Sequence, residues 1–237
     1  EWNEFPTGSS VCIGVFDGIH LGHQELIKRT IGYANENKIS SVLFTFEPSP
    51  SDYFSKGKSQ SRLTSLDEKY DYLSSGQIDF IYCPPFDQEM ENLYPLQFVN
   101  QHLIRKLNAK HVVVGEDFHF AKDRSGTVET LIELGHEYRF TVDPVKFIRQ
   151  KDKKISSTNI RQSLMDQDIQ NANQMLGRHY SVLGEVIKGN QIGRTIGYPT
   201  ANIDIDERDI LLRGVFCVKA IIEGDEDEYK GLANIGF

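Results

Sequence analysis

The chain has 237 residues, 39% of them hydrophobic and 25% charged, with a formal net charge of −8. This suits a globular protein of one large domain, or of one domain with a partner domain. The acidic balance excludes a general nucleic-acid or membrane-surface binder, which needs a basic footprint. The three cysteines (Cys12, Cys83, Cys217) show no CxxC spacing, no apolar run approaches the ~20 residues of a membrane span, and the start lacks a signal pattern. A reduced, cytoplasmic protein is therefore expected. The first residue is Glu1 rather than Met, so the natural start is expected to lie upstream.

In chain order, short apolar runs alternate with helical periodicity. Strands are expected at Val11–Phe16, Ser41–Phe46, Phe80–Cys83, His111–Gly115 and Phe140–Phe147, and helices at Gly22–Asn37, Ser65–Ser75, Pro95–Leu107 and Thr127–Leu134. Ser65 and Glu68 can form a capping box, and Pro95 suits a first helical turn. Alternation of this kind predicts an α/β fold: a doubly wound, mostly parallel, Rossmann-like sheet covered on both faces. Past the basic run Arg149–Lys154, "ISSTNIRQSL" and "DQDIQNANQMLGR" read as two short helices. From Tyr180 onward the chain turns strand-rich with Gly- and acid-rich turns, the pattern of an antiparallel barrel or sandwich. The expected division is residues 1–179 and 180–237, the second unit being thin material for a closed barrel.

The stretch "SSVCIGVFDGIHLGHQELI" places His20 and His23 where a strand gives way to a helix. In open α/β sheets ligands bind beyond the carboxyl ends of strands, and a helix start offers unpaired N–H groups to phosphate. Gly14, Gly18 and Gly22 let a polyphosphate approach the backbone. Imidazole N–H groups can donate to phosphate oxygens as charge develops in a transition state. A metal clip with Asp17 and a pair of core histidines remain alternatives, although Gly-flanked histidines at a strand end are poorly placed for burial.

With "GVFDGIHLGH" the sequence resembles the HxGH nucleotidylyltransferase superfamily. "FTFEPSP" (Phe44–Pro50), "RLTSLDEK" (Arg62–Lys69), "VVVGEDFHF" (Val112–Phe120), "ISSTNIR" (Ile155–Arg161) and "GNQIGRTIGYPTANI" (Gly189–Ile203) narrow the resemblance to the bacterial bifunctional riboflavin kinase/FMN adenylyltransferase family, the FAD synthetases. The resemblance implies transfer of AMP from ATP to FMN, with Mg²⁺ as metal and ATP, FMN, FAD and riboflavin as substrates or products. The partners implied are these small molecules, not nucleic acid or membrane.

Carried onto this chain, the resemblance makes His20, His23 and Arg161 the catalytic groups, with His23 the foremost transition-state contact. Gly14, Phe16, Asp17, Gly18 and Gly22, with Ser156, Ser157 and Thr158, fall to ATP and its phosphates. Gly115, Asp117, Phe118 and Phe120 fall to nucleotide and flavin, although the two rings serve a core equally well. In the second unit Gly193 and Gly197 form a loop for ATP, and Thr200 and Asn202 offer oxygens to Mg²⁺.

Two positions depart from the family pattern: Ser49 stands where a His is usual and Ala121 where a Gly is usual, so altered affinity is expected rather than a dead site. The kinase's catalytic Glu belongs to a later motif outside residues 1–237, so no riboflavin phosphorylation is expected of this fragment; the natural protein either continues past Phe237 or carries a remnant. Two rival readings are an adenylyltransferase for another small phosphate substrate and a non-catalytic flavin-binding regulator.

Overall fold

The structure, a computed structural model, describes residues 5–56, 61–74, 78–150, 153–189, 197, 200–205, 210–225 and 227–236. Five strands form one parallel sheet: β1 (Ser9–Ile13), β2 (Ser40–Phe44), β3 (Phe80–Tyr82), β4 (Ala109–Gly115) and β5 (Thr141–Val145), in spatial order β3-β2-β1-β4-β5. The order reverses between β1 and β4, so a crevice opens beyond their carboxyl ends.

The pleat sends alternate side chains to opposite faces. Val11, Ile13, Val42, Phe44, Val112 and Val114 join one core with Phe98, Leu103 and Leu131. Cys12, Leu43 and Val113 face the other way, against Leu26, Ile27 and Leu73. Apolar strands covered on both sides are what a parallel sheet requires. Burial pushes the Cys12 thiol up to about 12, so it behaves as a core hydrophobe.

Helix α1 (Leu21–Asn37) follows β1, α2 (Pro50–Ser55) and α3 (Leu66–Ser74) lie between β2 and β3, and α4 (Gln88–Asn92) and α5 (Pro95–Phe98) precede β4. The capping box at α3 is present: Glu68 N donates to Ser65 Oγ at 3.1 Å, and Ser65 N to Glu68 Oε2 at 2.7 Å. Pro95 sits in the first turn of α5. The expected α-helix to Leu107 instead widens into a π-helical segment over Val99–Lys106, where Leu107 N reaches His102 O at 3.1 Å. Helix α6 (Val128–Tyr138) runs a turn beyond its expected end, into Arg139 in the left-handed region.

After β5 a short hairpin, β6 (Arg149–Gln150) with β7 (Lys153–Lys154), carries the basic run into α7 (Ser157–Met165) and α8 (Ile169–Leu176). Ile160, Leu164, Ala172, Met175 and Leu176 pack with Leu63 of the first unit and with Ile210 and Leu212 of the second. The strand-rich part forms two antiparallel pairs, β8 (Glu185–Ile187) with β9 (Asn202–Asp204) and β10 (Gly214–Ile221) with β11 (Glu228–Ile235). Among the described residues each strand pairs only with its hairpin mate, so no closed barrel is present.

Ala121, the residue standing where Gly is usual, has φ 64 and ψ −175. That region is nearly glycine-only and costs an ordinary residue about 1–3 kcal/mol. Ala121→Gly is therefore expected to stabilise the protein by about 1 kcal/mol after glycine's extra unfolded-state entropy, read as a higher urea midpoint at unchanged slope; an equal or lower midpoint contradicts the strain.

Candidate active site

The loop between β1 and α1 is contorted. Phe16, Gly18 and Ile19 all have positive φ (54, 80 and 36). Only glycine takes this region without strain, so Phe16 and Ile19 must be held. Asp17 Oδ1 accepts from Leu63 N at 2.9 Å and Thr64 N at 3.2 Å, and Gly18 N donates to Thr64 Oγ1 at 3.0 Å. From the far side, Arg178 donates to Gly18 O at 2.9 Å and Ile19 O at 3.2 Å, while its guanidinium lies 4.7 Å from the Tyr72 ring centroid. Gln24 Nε2 donates to both Ile19 O and Leu176 O at 2.9 Å.

This loop delivers the two histidines. His20 is the N-cap of α1, its Nδ1 accepting from His23 N at 3.3 Å, which leaves the proton of the neutral ring on Nε2. The rings stack at 3.7 Å between centroids with 12° between planes. Contrary to expectation His20 is a burial site, 7% exposed, whereas His23 is partly exposed with its Nδ1 buried and without a hydrogen-bond partner. The contorted backbone folds Phe16 under them, its centroid 5.1 Å from His23, and so roofs a place that the sequence leaves open.

Burial lowers His20 to about 4 and His23 well below the usual 6.5. Both are neutral at pH 7 and act as N–H donors rather than as cations. His102 is likewise pushed down to about 4 by burial. The unfolded chain takes up these protons near 6.5 and the folded protein refuses them until about 4. Stability present above 6.5 is therefore lost as pH falls from there toward 4. The urea midpoint should drop between about pH 7 and about pH 5; a flat profile contradicts neutral, buried imidazoles.

The second helix start is α7. Ser156 caps it, its side chain accepting from Asn159 N at 3.2 Å. Ser157 donates to Asp17 O at 2.7 Å, and one turn on Arg161 Nη1 meets Asp17 Oδ2 at 2.6 Å, with the two side chains 17% and 14% exposed. The start of α7 is thus tied at Asp17 to the loop that leads into α1. They share one cavity of about 200 Å³, whose wall includes His23, Asp17, Lys69, Arg62, Ser157 and Arg161.

Several expected residues fall elsewhere. Phe16 is fully buried and does not line the cavity. Asp17 spends its carboxylate on Leu63, Thr64 and Arg161, a positioning task that suits an acid better than touching phosphate. His20 caps α1 and does not line the cavity, and neither do Gly14 and Thr158. A Cβ on Gly22 would press on the His20 ring at 3.1 Å, so this glycine serves the stacked pair. In the loop after β4, Gly115 ends the strand and Asp117 pairs with Lys154 at 2.8 Å. Phe120 is 6% exposed and belongs to the core, whereas Phe118 lies partly buried on top of it, 5.5 Å between centroids. In the second unit Gly193 lies outside the described residues; Gly197 has φ 83, and Thr200 and Asn202 are exposed at the start of β9.

Two cations on the wall carried no role in the sequence. Arg62 is bound by Glu47 and Asp52, and Lys69 is 4% exposed with its Nζ on Val15 O at 3.2 Å. Their only signal was membership of "RLTSLDEK". Ser49, the departure from the family's His, caps α2 through a capping box with Asp52, so its hydroxyl is engaged in structure. Among the described residues no three His, Cys, Asp or Glu side chains gather as metal ligands. The wall carboxylates Asp17 and Asp52 are already matched by guanidinium groups.

Fold and cavity together define a Rossmann-like α/β protein with a cavity lined by His23 and Arg161 at the sheet's switch point. Comparison with known proteins narrows this. The FAD synthetase family matches residues 3–159 and the riboflavin kinase family residues 176–237. A bifunctional riboflavin kinase/FMN adenylyltransferase from Buchnera aphidicola (subsp. Schizaphis graminum) is 41% identical over 231 residues, covering 97% of this chain and 74% of that protein. The protein of the same description from Escherichia coli K12 is 34% identical over 229 residues, covering 97% and 74%. A crystal structure from Streptococcus pneumoniae, described as a macrolide-efflux protein, superposes with a TM-score of 0.82 at 31% identity, covering 97% of this chain and 74% of that one. No helix among the described residues is long and apolar enough to cross a membrane. The chain belongs to the bifunctional riboflavin kinase/FMN adenylyltransferase family and carries both an FAD synthetase and a riboflavin kinase domain.

Proposed function

We propose that this chain transfers AMP from ATP to FMN, giving FAD and pyrophosphate, and that phosphorylation of riboflavin by ATP through the riboflavin kinase domain is an activity of the full-length protein. The observation that carries the first reaction is the shared cavity: the starts of α1 and α7 reach one anion-sized space lined by His23, Ser157 and Arg161.

The FMN phosphate attacking the α-phosphorus is already anionic, so alignment and charge neutralisation matter more than a strong base. In this reading His23 donates to the reacting phosphates, Ser157 fixes the start of α7 against Asp17, and Arg161 holds the departing pyrophosphate through its planar fork. The stacked His20 keeps His23 in register, and Asp17 aims Arg161. Mg²⁺ bound with the nucleotide supplies further neutralisation of phosphate charge. Asp117 and Phe118 border the flavin side, and Thr200 and Asn202 are the proposed oxygen ligands of the kinase domain's Mg²⁺, with Gly193 and Gly197 in its ATP loop. The division 1–179 and 180–237 and a cytoplasmic location complete the reading.

The test is chromatography after mixing protein, Mg²⁺ and ATP with either FMN or riboflavin. FAD and pyrophosphate from FMN are the expected products; flavin bound without pyrophosphate release favours a regulator, and no FMN is expected from riboflavin with residues 1–237, so that steady conversion of riboflavin contradicts that part of the reading.

A further inference from the structure

Lys69 occupies a place that the sequence reserves for an apolar residue. The capping box fixes the start of α3, and the buried residues of that helix are Lys69 and, one turn on, Leu73. An ammonium at such a position loses hydration for little local return. Its Nζ carries three donors and gives one to Val15 O at 3.2 Å. Among the described residues the other two wall cations are matched by carboxylates, Arg161 by Asp17 and Arg62 by Glu47 and Asp52, whereas Lys69 makes no ion pair. His23 and Lys69 line one cavity, and His23 Nδ1 is buried with no partner. The two sense each other, since Lys69 is among the groups that lower His23.

We infer that Lys69 is a further phosphate-binding residue of the adenylyl-transfer site, its spare donors taking an oxygen of the nucleotide's polyphosphate beside His23. This rests on the proposed adenylyltransferase reading and deepens it. Asp17 and Glu47 act on this buried cation only through space, so an arriving anion gives it its first direct partner and the cavity prefers a polyphosphate to a neutral ligand. Val15 O holds the ammonium at the cavity wall while it waits.

The probe is inorganic pyrophosphate, titrated into the full chain by calorimetry, with ATP and FMN kinetics alongside. Lys69→Met keeps length and volume, suits the buried position, and removes the charge; Lys69→Arg keeps it. Expected results are pyrophosphate affinity lowered about tenfold or more and a matching rise in KM for ATP in Lys69→Met, unchanged KM for FMN, an unchanged or higher melting temperature, and substantial retention of pyrophosphate binding in Lys69→Arg. Wild-type pyrophosphate affinity in Lys69→Met overturns the inference. So does a Lys69→Met chain that will not fold together with a Lys69→Arg chain that folds but no longer binds, because Lys69 then serves only Val15. If the wild-type chain binds neither pyrophosphate nor ATP, the adenylyltransferase reading falls first and the inference with it.

Discussion

Replacing His23 with alanine is expected to lower kcat by about 10²–10³ while FMN affinity changes only a few-fold. The expectation follows from where the ring stands. His23 is on the cavity wall with a buried, unmatched Nδ1, pressed between His20 and Phe16 and held neutral by burial. A donor fixed in advance in a dry place acts on charge that develops later without having to reorganise. Removing the ring also removes packing, so the melting temperature falls; the split between kcat and FMN affinity separates the two effects. Near-normal turnover in single-turnover experiments would remove His23 from the chemistry.

Arg161→Ala is the second large effect, expected to lower kcat/KM for ATP by about 10² or more. It should also cost about 2–3 kcal/mol of stability, because Asp17 then keeps a mostly buried carboxylate without its cation. The partial exposure of both side chains places this below the full cost of a buried pair. Adding Asp17→Asn removes the stranded charge and leaves an oxygen for Leu63 N and Thr64 N. The double variant should therefore recover most of the stability and none of the activity. Activity that returns with stability would show Arg161 to be a strut.

What the sequence disclosed divides by range. The Ser65–Glu68 box, Pro95 at a helix start and the strand alternation are local and were legible, since each depends on neighbours within a turn or a pleat. The site's location followed from His20 and His23 at a strand end. Ala121 was legible as a misfit, and its φ of 64 supplies the reason. The rest depends on distant residues. His23 is partly covered because Phe16 folds back under it, and Arg62 is neutralised by Glu47 and Asp52, 15 and 10 residues away. Lys69 drew no reading of its own, because helical spacing does not say what a face packs against. Phe118 and Phe120 alternate on one short stretch, and only the tertiary core decides that Phe120 goes in. The widened segment Val99–Lys106 keeps an apolar spacing indistinguishable from that of an α-helix.

The Arg178 clamp couples the two halves mechanically. The contorted turn that bears the histidines is bolted by a guanidinium lying just ahead of the strand-rich half, and Ile210 and Leu212 of that half share a core with α7 and α8. Swapping one half between relatives as a free-standing cassette would disturb both the bolt and the shared core. Chimeras should therefore retain adenylyl transfer only where the junction travels with the catalytic turn it fastens.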